Sequence, residues 1–458
     1  MEYSQILQKF NLQKQSLATS PFKDVNNRIS ALKKLKQNIK LMEEEICQAL
    51  YKDLNKSPFE SYMTEIGMTL SEISYMIAHT KRFSRPKRVG TPLAHFWSSS
   101  KVYPSPYGCV LVISPWNYPF MLSIEPIVDA ISAGNSVILK PSEISPNVSA
   151  VLEKLIKATF DEAQVAVVQG DKEECTFLLE QDFDYIFYTG STRVGKIVLQ
   201  HAAEHFTPVT LEMGGKSPCI VDSTADLKLS AKRIIFGKLL NCGQTCVAPD
   251  FVYCDKTIKD ELIKELERQI VLQYSVDPLS NKEYPKMVNK KQFDNMLSLV
   301  VPQEVVFGGK SNAQTLKIEP TILQSTFDSP AMEEEIFGPI LPIVTFDNLD
   351  EAIDKLNSLP HPLALYIFSN NRKNQQKVLK NCVFGGGCVN DTIVHIANPK
   401  LGFGGVGTSG MGAYHGKVGF MTFSHYKSVL KKANFVDLPM RYQKSSKFKQ
   451  KLIKMFLR

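Results

Sequence analysis

Two cysteines, Cys242 and Cys246, share the polar, glycine-containing loop Asn241-Cys242-Gly243-Gln244-Thr245-Cys246, which follows a helical run. A cysteine is usually a small buried hydrophobe. Of the nine in this chain, only these two lie in a setting that suits a reactive thiolate. A carboxylate, Glu212, closes an apolar run in Leu211-Glu212-Met213-Gly214-Gly215. A general base working near neutral pH needs a raised pKa, and desolvation by Leu211 and Met213 would supply it. In Ser114-Pro115-Trp116-Asn117-Tyr118-Pro119, two prolines fix a loop that sets an amide among aromatics. A capped turn, with Asn117 bonding its own backbone, is the commoner origin of such a loop. Lys140-Pro141-Ser142-Glu143 ends a β-branched run. Lys140 and Glu143 can there take a phosphate or ribose hydroxyls, or simply form a surface ion pair.

Thr189-Gly190-Ser191-Thr192-Arg193-Val194-Gly195 opens a helix, and the N–H groups at a helix N-terminus attract anions. It lacks the dinucleotide spacing G-x-G-x-x-G. That spacing does occur at Gly402, Gly404 and Gly407, but it follows no strand and opens no helix, so it is rejected. Gly215-Lys216-Ser217 resembles the end of a phosphate-binding loop, yet Thr210 stands where the first glycine is required. His201 and His205 stand at i, i+4 without an evident third ligand, so a solvated helix face is expected and no metal.

These residues need a scaffold, and the hydrophobic pattern describes one. Short β-branched runs at Cys109–Ile113, Ser136–Lys140, Val165–Val168, Tyr185–Tyr188 and Pro208–Leu211 alternate with helical stretches Phe120–Ala133, Pro146–Thr159, Glu173–Leu179 and Arg193–Glu204. Such alternation gives a mostly parallel, doubly wound sheet that binds ligands beyond its strands' carboxyl ends. A second series runs through Pro218–Val221, a helix from about Asp226, Phe251–Cys254, a helix to about Gln273, and Leu363–Phe368. Before both, Asn26–Leu54 reads as one amphipathic helix, and the Pro-rich Lys101–Tyr107 marks a boundary.

Composition narrows the class. The chain has 458 residues, 43% hydrophobic and 22% charged, which describes a globular protein of two or three domains. No stretch reaches the roughly 18 uncharged apolar residues of a membrane span. The polar start, MEYSQILQKFNLQKQ, resembles no secretory signal, and an odd number of cysteines without a C-x-x-C pair indicates a reducing, cytoplasmic setting. Arg441 to Arg458 contains seven basic residues and no acid, supplying +7 of the net +8. The body is thus near neutral, which argues against a nucleic-acid partner.

Taken together, the segments resemble the aldehyde dehydrogenase superfamily. Trp116–Pro119, Lys140–Glu143, Thr189–Gly195, Leu211–Lys216, Gly243–Cys246 and Glu335-Ile336-Phe337-Gly338-Pro339 occur in family order. Tyr414-His415-Gly416-Lys417 and Thr422-Phe423-Ser424-His425 are similar to the class 3 and fatty-aldehyde branch. Gly402, Gly419 and Met421 depart from that branch. The resemblance implies an α/β fold: a Rossmann-like cofactor domain (1–82 and 102–211), a catalytic domain (212–391) and a small β oligomerisation element. That element would take 83–101 and, with substrate-site loops, 392–437, leaving 438–458 as a basic amphipathic tail.

The resemblance further implies NAD or NADP as cofactor. Trp116, Gly190, Ser191, Thr192, Val194 and Gly195 would line its site, with the pyrophosphate near the helix start. Lys140 and Glu143 would meet the adenosine ribose, Glu335 would hold the nicotinamide ribose, and Phe337 would pack nearby. Cys246 would attack the aldehyde, Asn117 and the Cys246 N–H would hold the oxyanion, and Glu212 would activate water against the thioester. An acylating, coenzyme A-dependent enzyme is the nearest rival, but relatives of that type generally lack the base. A silent nucleotide-binding scaffold would have lost Cys246, Glu212 or Asn117. The expected protein is a cytoplasmic homodimer acting on a long-chain fatty or carotenoid-type aldehyde. Phe448, Leu452, Met455 and Phe456, interleaved with lysines, add an expected peripheral contact with the inner membrane surface.

Overall fold

The computed structural model describes residues 1–437, 442–444 and 446–456. Five parallel strands build the first sheet because their runs are apolar on both faces, as a sheet covered by helices on both sides requires. From edge to edge it runs Gly410–Met411, Val209–Glu212, Tyr185–Thr189, Cys109–Ile113, Ser136–Lys140 and Val165–Val167, with Gly410–Met411 antiparallel. Cys109–Ile113 and Ser136–Lys140 are buried throughout and fall where the residue pattern placed them. The chain winds outward from Cys109–Ile113 to Val165–Val167, then returns to add Tyr185–Thr189 on the other side. That reversal opens a crevice at the strands' carboxyl ends, between the loops that follow Ile113 and Thr189.

A second sheet of seven strands runs Val305–Phe307, Thr321–Gln324, Ile340–Phe346, Phe251–Asp255, Pro218–Val221, Ala364–Phe368 and Gly386–Val389. All neighbours are parallel except the first pair. A third sheet joins Lys87–Val89, Ser98–Pro106 and Ser424–Lys432, all antiparallel.

Two local readings change, and a third segment takes a form that the sequence left unassigned. The helix expected over Asn26–Leu54 is two helices, Val25–Leu41 and Glu43–Leu54, broken at Met42, whose φ of −102° and ψ of 11° leave the helical region. Leu32, Leu35 and Ile39 of the first and Ile46, Leu50 and Leu54 of the second all face inward, so the periodicity survives across the break. The Pro-rich Lys101–Tyr107 lies largely in the strand Ser98–Pro106, with Pro104 and Pro106 beyond the stretch that Lys87–Val89 covers. The polar N-terminus forms the helix Tyr3–Ser16, which buries Ile6 and Phe10 and stacks Tyr3 on Phe177 at 4.5 Å.

Candidate active site

A cavity of about 460 Å³ opens between the two large sheets and takes its walls from both. Cys246, Glu212, Asn117, Trp116, Gly190, Ser191, Glu335 and Phe337 all line it. Residues spread over more than 200 positions thus meet in one place.

The thiol loop begins where the helix Leu227–Leu239 ends. Asn241, Cys242 and Gly243 then take positive φ values of 53°, 55° and 76° in succession. Non-glycine residues pay roughly 1 kcal/mol or more to sit there, so neighbours must fix the turn. Glu60 accepts the Asn241 N–H at 2.6 Å. Gln244 donates to the Asn241 and Lys286 carbonyls and accepts from the Val288 N–H. Gly243 lies against the Gly338 carbonyl, with no room for a Cβ. The result separates the two thiols. Cys242 is fully buried and donates to the Tyr284 hydroxyl at 3.4 Å, whereas Cys246 is half-buried and faces the cavity. Burial, then the charges of Glu335 and Glu212, push the Cys246 thiol up, while its own N–H and that of Val247 favour the thiolate.

Asn117 is buried, and its carboxamide donates to the Gln244 carbonyl at 3.0 Å, two residues before Cys246. The capped-turn alternative fails, because the side chain reaches across to the thiol loop. Glu212, at the end of Val209–Glu212, is buried with neither oxygen hydrogen-bonded, and desolvation alone raises its pKa well above the usual carboxylate range. Leu211 and Met213, its chain neighbours, are themselves buried in the core cluster with Leu111, Ile113 and Tyr188.

At the other end of the cavity, the helix Thr192–Glu204 starts under Ser191, whose hydroxyl accepts the Val194 N–H at 3.4 Å. Gly190 packs on the Tyr188 hydroxyl and Gly195 on the Met213 sulfur, and neither position has room for a Cβ. The Thr189 hydroxyl is buried without a partner at the same turn. An orphaned hydroxyl beside a glycine cradle and a helix N-terminus fits a phosphate-bearing cofactor. Thr192 donates its hydroxyl to the Thr408 carbonyl at 3.3 Å, tying this turn to the glycine-rich loop. Phe337, at a φ of 55°, meets Trp116 edge-on at 5.4 Å. Burial and the charge of Asp250 push Glu335 up to about 8 against the pull of the Gly215 N–H, Lys216 and Lys238. Lys140 and Glu143 lie outside the cavity lining and pair with each other at 3.0 Å.

Several residues that build the site were given no role by the sequence. Lys56, Glu60 and Glu65 lie behind Asn117, and Lys216 with Asp250 clamps the segment bearing Glu335. Lys216 Nζ donates to the Ala331 and Glu334 carbonyls at 2.9 Å each, and Asp250 accepts the Ile336 N–H at 2.9 Å. His415 lines the cavity with its Nε2 at 3.0 Å from Glu125. Glu125 and Asp129, two carboxylates on the otherwise apolar helix Met121–Ala133, were a visible signal for such a cluster. Gly419 leaves room for the Asp129 carboxylate, which explains that departure from the branch.

Comparison with known families matches residues 13–429 to the aldehyde dehydrogenase family. The chain belongs to that family.

This aldehyde dehydrogenase is 48% identical to the 4,4'-diaponeurosporen-aldehyde dehydrogenase of Staphylococcus aureus, covering 94% of this chain and 95% of the relative. A dimeric, NADP-preferring aldehyde dehydrogenase of Mus musculus is 44% identical, covering 88% and 89%. The structure of substrate-bound Staphylococcus aureus AldH superposes with a TM-score of 0.97 at 47% identity, covering 99% of each chain. The enzyme is therefore an oxidoreductase of aldehydes, in a family whose cofactor is NAD or NADP.

Proposed function

We propose that this aldehyde dehydrogenase oxidises a long-chain, apolar aldehyde to its carboxylic acid, with Cys246 as nucleophile. The observation carrying the reading is that Cys246, Asn117 and Glu212 share one cavity while Cys242 is turned away from it. Attack of the Cys246 thiolate on the aldehyde carbon forms the carbon–sulfur bond and places a negative charge on oxygen. The Asn117 carboxamide and the Cys246 N–H are the donors for that charge, each worth about 10²–10³ in rate. Gly190, Ser191 and Glu335 would hold NAD or NADP, which would supply the acceptor for the hydride that leaves that carbon. Glu212 then removes a proton from the water that cleaves the thioester, releasing the acid and the thiol. Its buried, unpartnered carboxyl gives it the high proton affinity that this task requires.

The substrate class rests on Met63, Met68, Met121, Leu122, Phe236 and Leu240, which make much of the wall apolar. The carotenoid aldehyde in the name of the 48% relative points the same way. A homodimer would cover Tyr426, Val429 and Leu430, apolar residues exposed along Ser424–Lys432. Among the described residues no helix is long and apolar enough to cross a membrane. Peripheral contact of a cytoplasmic enzyme is the reading that fits the basic helix Lys447–Phe456, where Phe448 and Met455 are exposed. Residues 438–441, 445, 457 and 458 of the expected tail lie outside the described residues, as does the Phe456 side chain. The test is the rate of NADH or NADPH formation with aldehydes of increasing chain length. A kcat/KM that rises with length supports the assignment, and a preference for short or charged aldehydes rejects it.

A further inference from the structure

Behind Asn117 lies an ion pair with no access to solvent. Lys56 Nζ donates to Glu65 Oε1 at 2.6 Å, and both side chains are 0% exposed. Such a pair gains little stability, because desolvating two charges offsets their attraction. Its contacts show another use.

The ammonium has three N–H bonds, and three acceptors surround it. One is Glu65, the second is the Asn117 carbonyl at 3.1 Å, and the third is the face of the Tyr118 ring, 3.8 Å from its centroid. Glu65 Oε2 accepts the N–H groups of Phe120 at 2.8 Å and Met121 at 3.2 Å, where the helix Met121–Ala133 begins. The pair therefore holds the backbone at two points, the Asn117 carbonyl itself and the helix start three residues on. The same Asn117 carbonyl accepts Asn241 Nδ2 at 2.7 Å, and the Tyr118 hydroxyl meets Thr245 Oγ1 at 2.6 Å. Both bonds run to the thiol loop. Glu65 sits in a π-helical turn, Tyr62–Ile66, an element frequent at functional sites.

We infer that Lys56 and Glu65 are positioning residues that set the Asn117 carboxamide against the Cys246 loop for oxyanion binding. The inference rests on the proposed role of Asn117. It assigns Lys56 no contact with substrate; the effect passes through the Asn117 backbone.

Lys56→Met and Glu65→Gln break the tie from opposite ends, and either variant alone suffices if the other does not fold. Each is compared with Asn117→Ala in the full chain, using decanal as probe and following the first-turnover burst of reduced cofactor. The expected result is a burst slowed about 10-fold or more, short of the ~10²–10³ for a lost oxyanion donor, with NADH affinity unchanged within about threefold. Adding Asn117→Ala to either variant should then cost much less than it costs in the native chain. A native burst rate in the variants, or a full additive cost of Asn117→Ala within them, overturns the inference. A native burst in Asn117→Ala alone would instead remove the oxyanion role itself, and the positioning role with it.

Discussion

The Glu335 carboxylate rests directly on the α-carbon of Gly214, where no methyl group could be placed without overlapping both its oxygens. Gly214 follows Glu212 by two residues, so one short segment carries the proposed base and the floor beneath the proposed ribose-binding carboxylate. Gly214→Ala should displace Glu335 while leaving the thiol loop intact. The expected outcome is a ~10–100-fold loss in first-turnover rate. Affinity for AMP, which lacks the nicotinamide ribose, should not change. Equal weakening of AMP and NADH in a fluorescence titration would mean that the substitution damages the whole cofactor site.

The two loop thiols give a sharp contrast. Cys246→Ala should abolish turnover with cofactor binding preserved. Cys242→Ala should keep turnover and lose about 1–2 kcal/mol of stability, through the bond to Tyr284 and the small void it leaves. Iodoacetamide labelling located by mass spectrometry checks the assignment, with Cys246 modified before Cys242. Faster labelling of Cys242 would reverse it.

Glu212→Gln should give one burst of reduced cofactor per active site and then stall, since water activation is needed only after the thioester has formed. Absence of both burst and steady state would place Glu212 earlier, in generating the thiolate.

Glu60 predicts a pH dependence. Burial pushes its carboxyl up to about 7 in the folded chain, against 4.5 for the free group, despite the opposing pull of Lys56 and the Asn241 N–H. Between these values the folded state holds a proton that the unfolded state has released. Stability therefore falls as pH rises from about 4.5 to about 7, by on the order of 3 kcal/mol. Glu60→Gln removes this contribution. Urea melts should show its stability relative to the native enzyme rising from pH 5 to pH 8; a difference that does not vary with pH contradicts the assignment.

The basic helix Lys447–Phe456 predicts salt-sensitive sedimentation with anionic vesicles. A chain ending at Pro439 should stay in the supernatant. Identical behaviour of both chains at low and high salt removes the membrane proposal without touching the oxidation chemistry.

The strands that carry the site were legible because parallel strands buried on both faces are written as unbroken apolar runs. Cys109–Ile113 and Ser136–Lys140 are such runs, and the loops that follow them carry Asn117 and the Lys140–Glu143 pair. Met42 was not legible, since the apolar repeat continues through the break between the two helices. Nothing in the sequence around Lys56 signals that it is buried. Its partners are Glu65, brought round by a π turn, and a carbonyl 61 residues away, and no local pattern encodes either. Cys242 and Cys246 were equivalent as letters. What separates them is a turn with three successive positive φ values, which sequence signals only through Gly243. Lys140 and Glu143 left two readings open, and their 3.0 Å pairing shows that each already has a partner.

The prolines of the strand Ser98–Pro106 have a consequence for how many chains can join. Proline sits in a sheet where its missing N–H meets no partner, so Pro104 and Pro106 mark the open side of that strand. Lys87–Val89, on the same side, is three residues long and carries two cations, a poor template for pairing. Among the described residues of this sheet, the nine-residue edge of Ser424–Lys432 is the one left able to accept a further strand. A sheet with one usable edge can grow by a single neighbour. Two such sheets meeting edge to edge would consume both of these edges, so pairing through this sheet would stop at two rather than run on into a fibre.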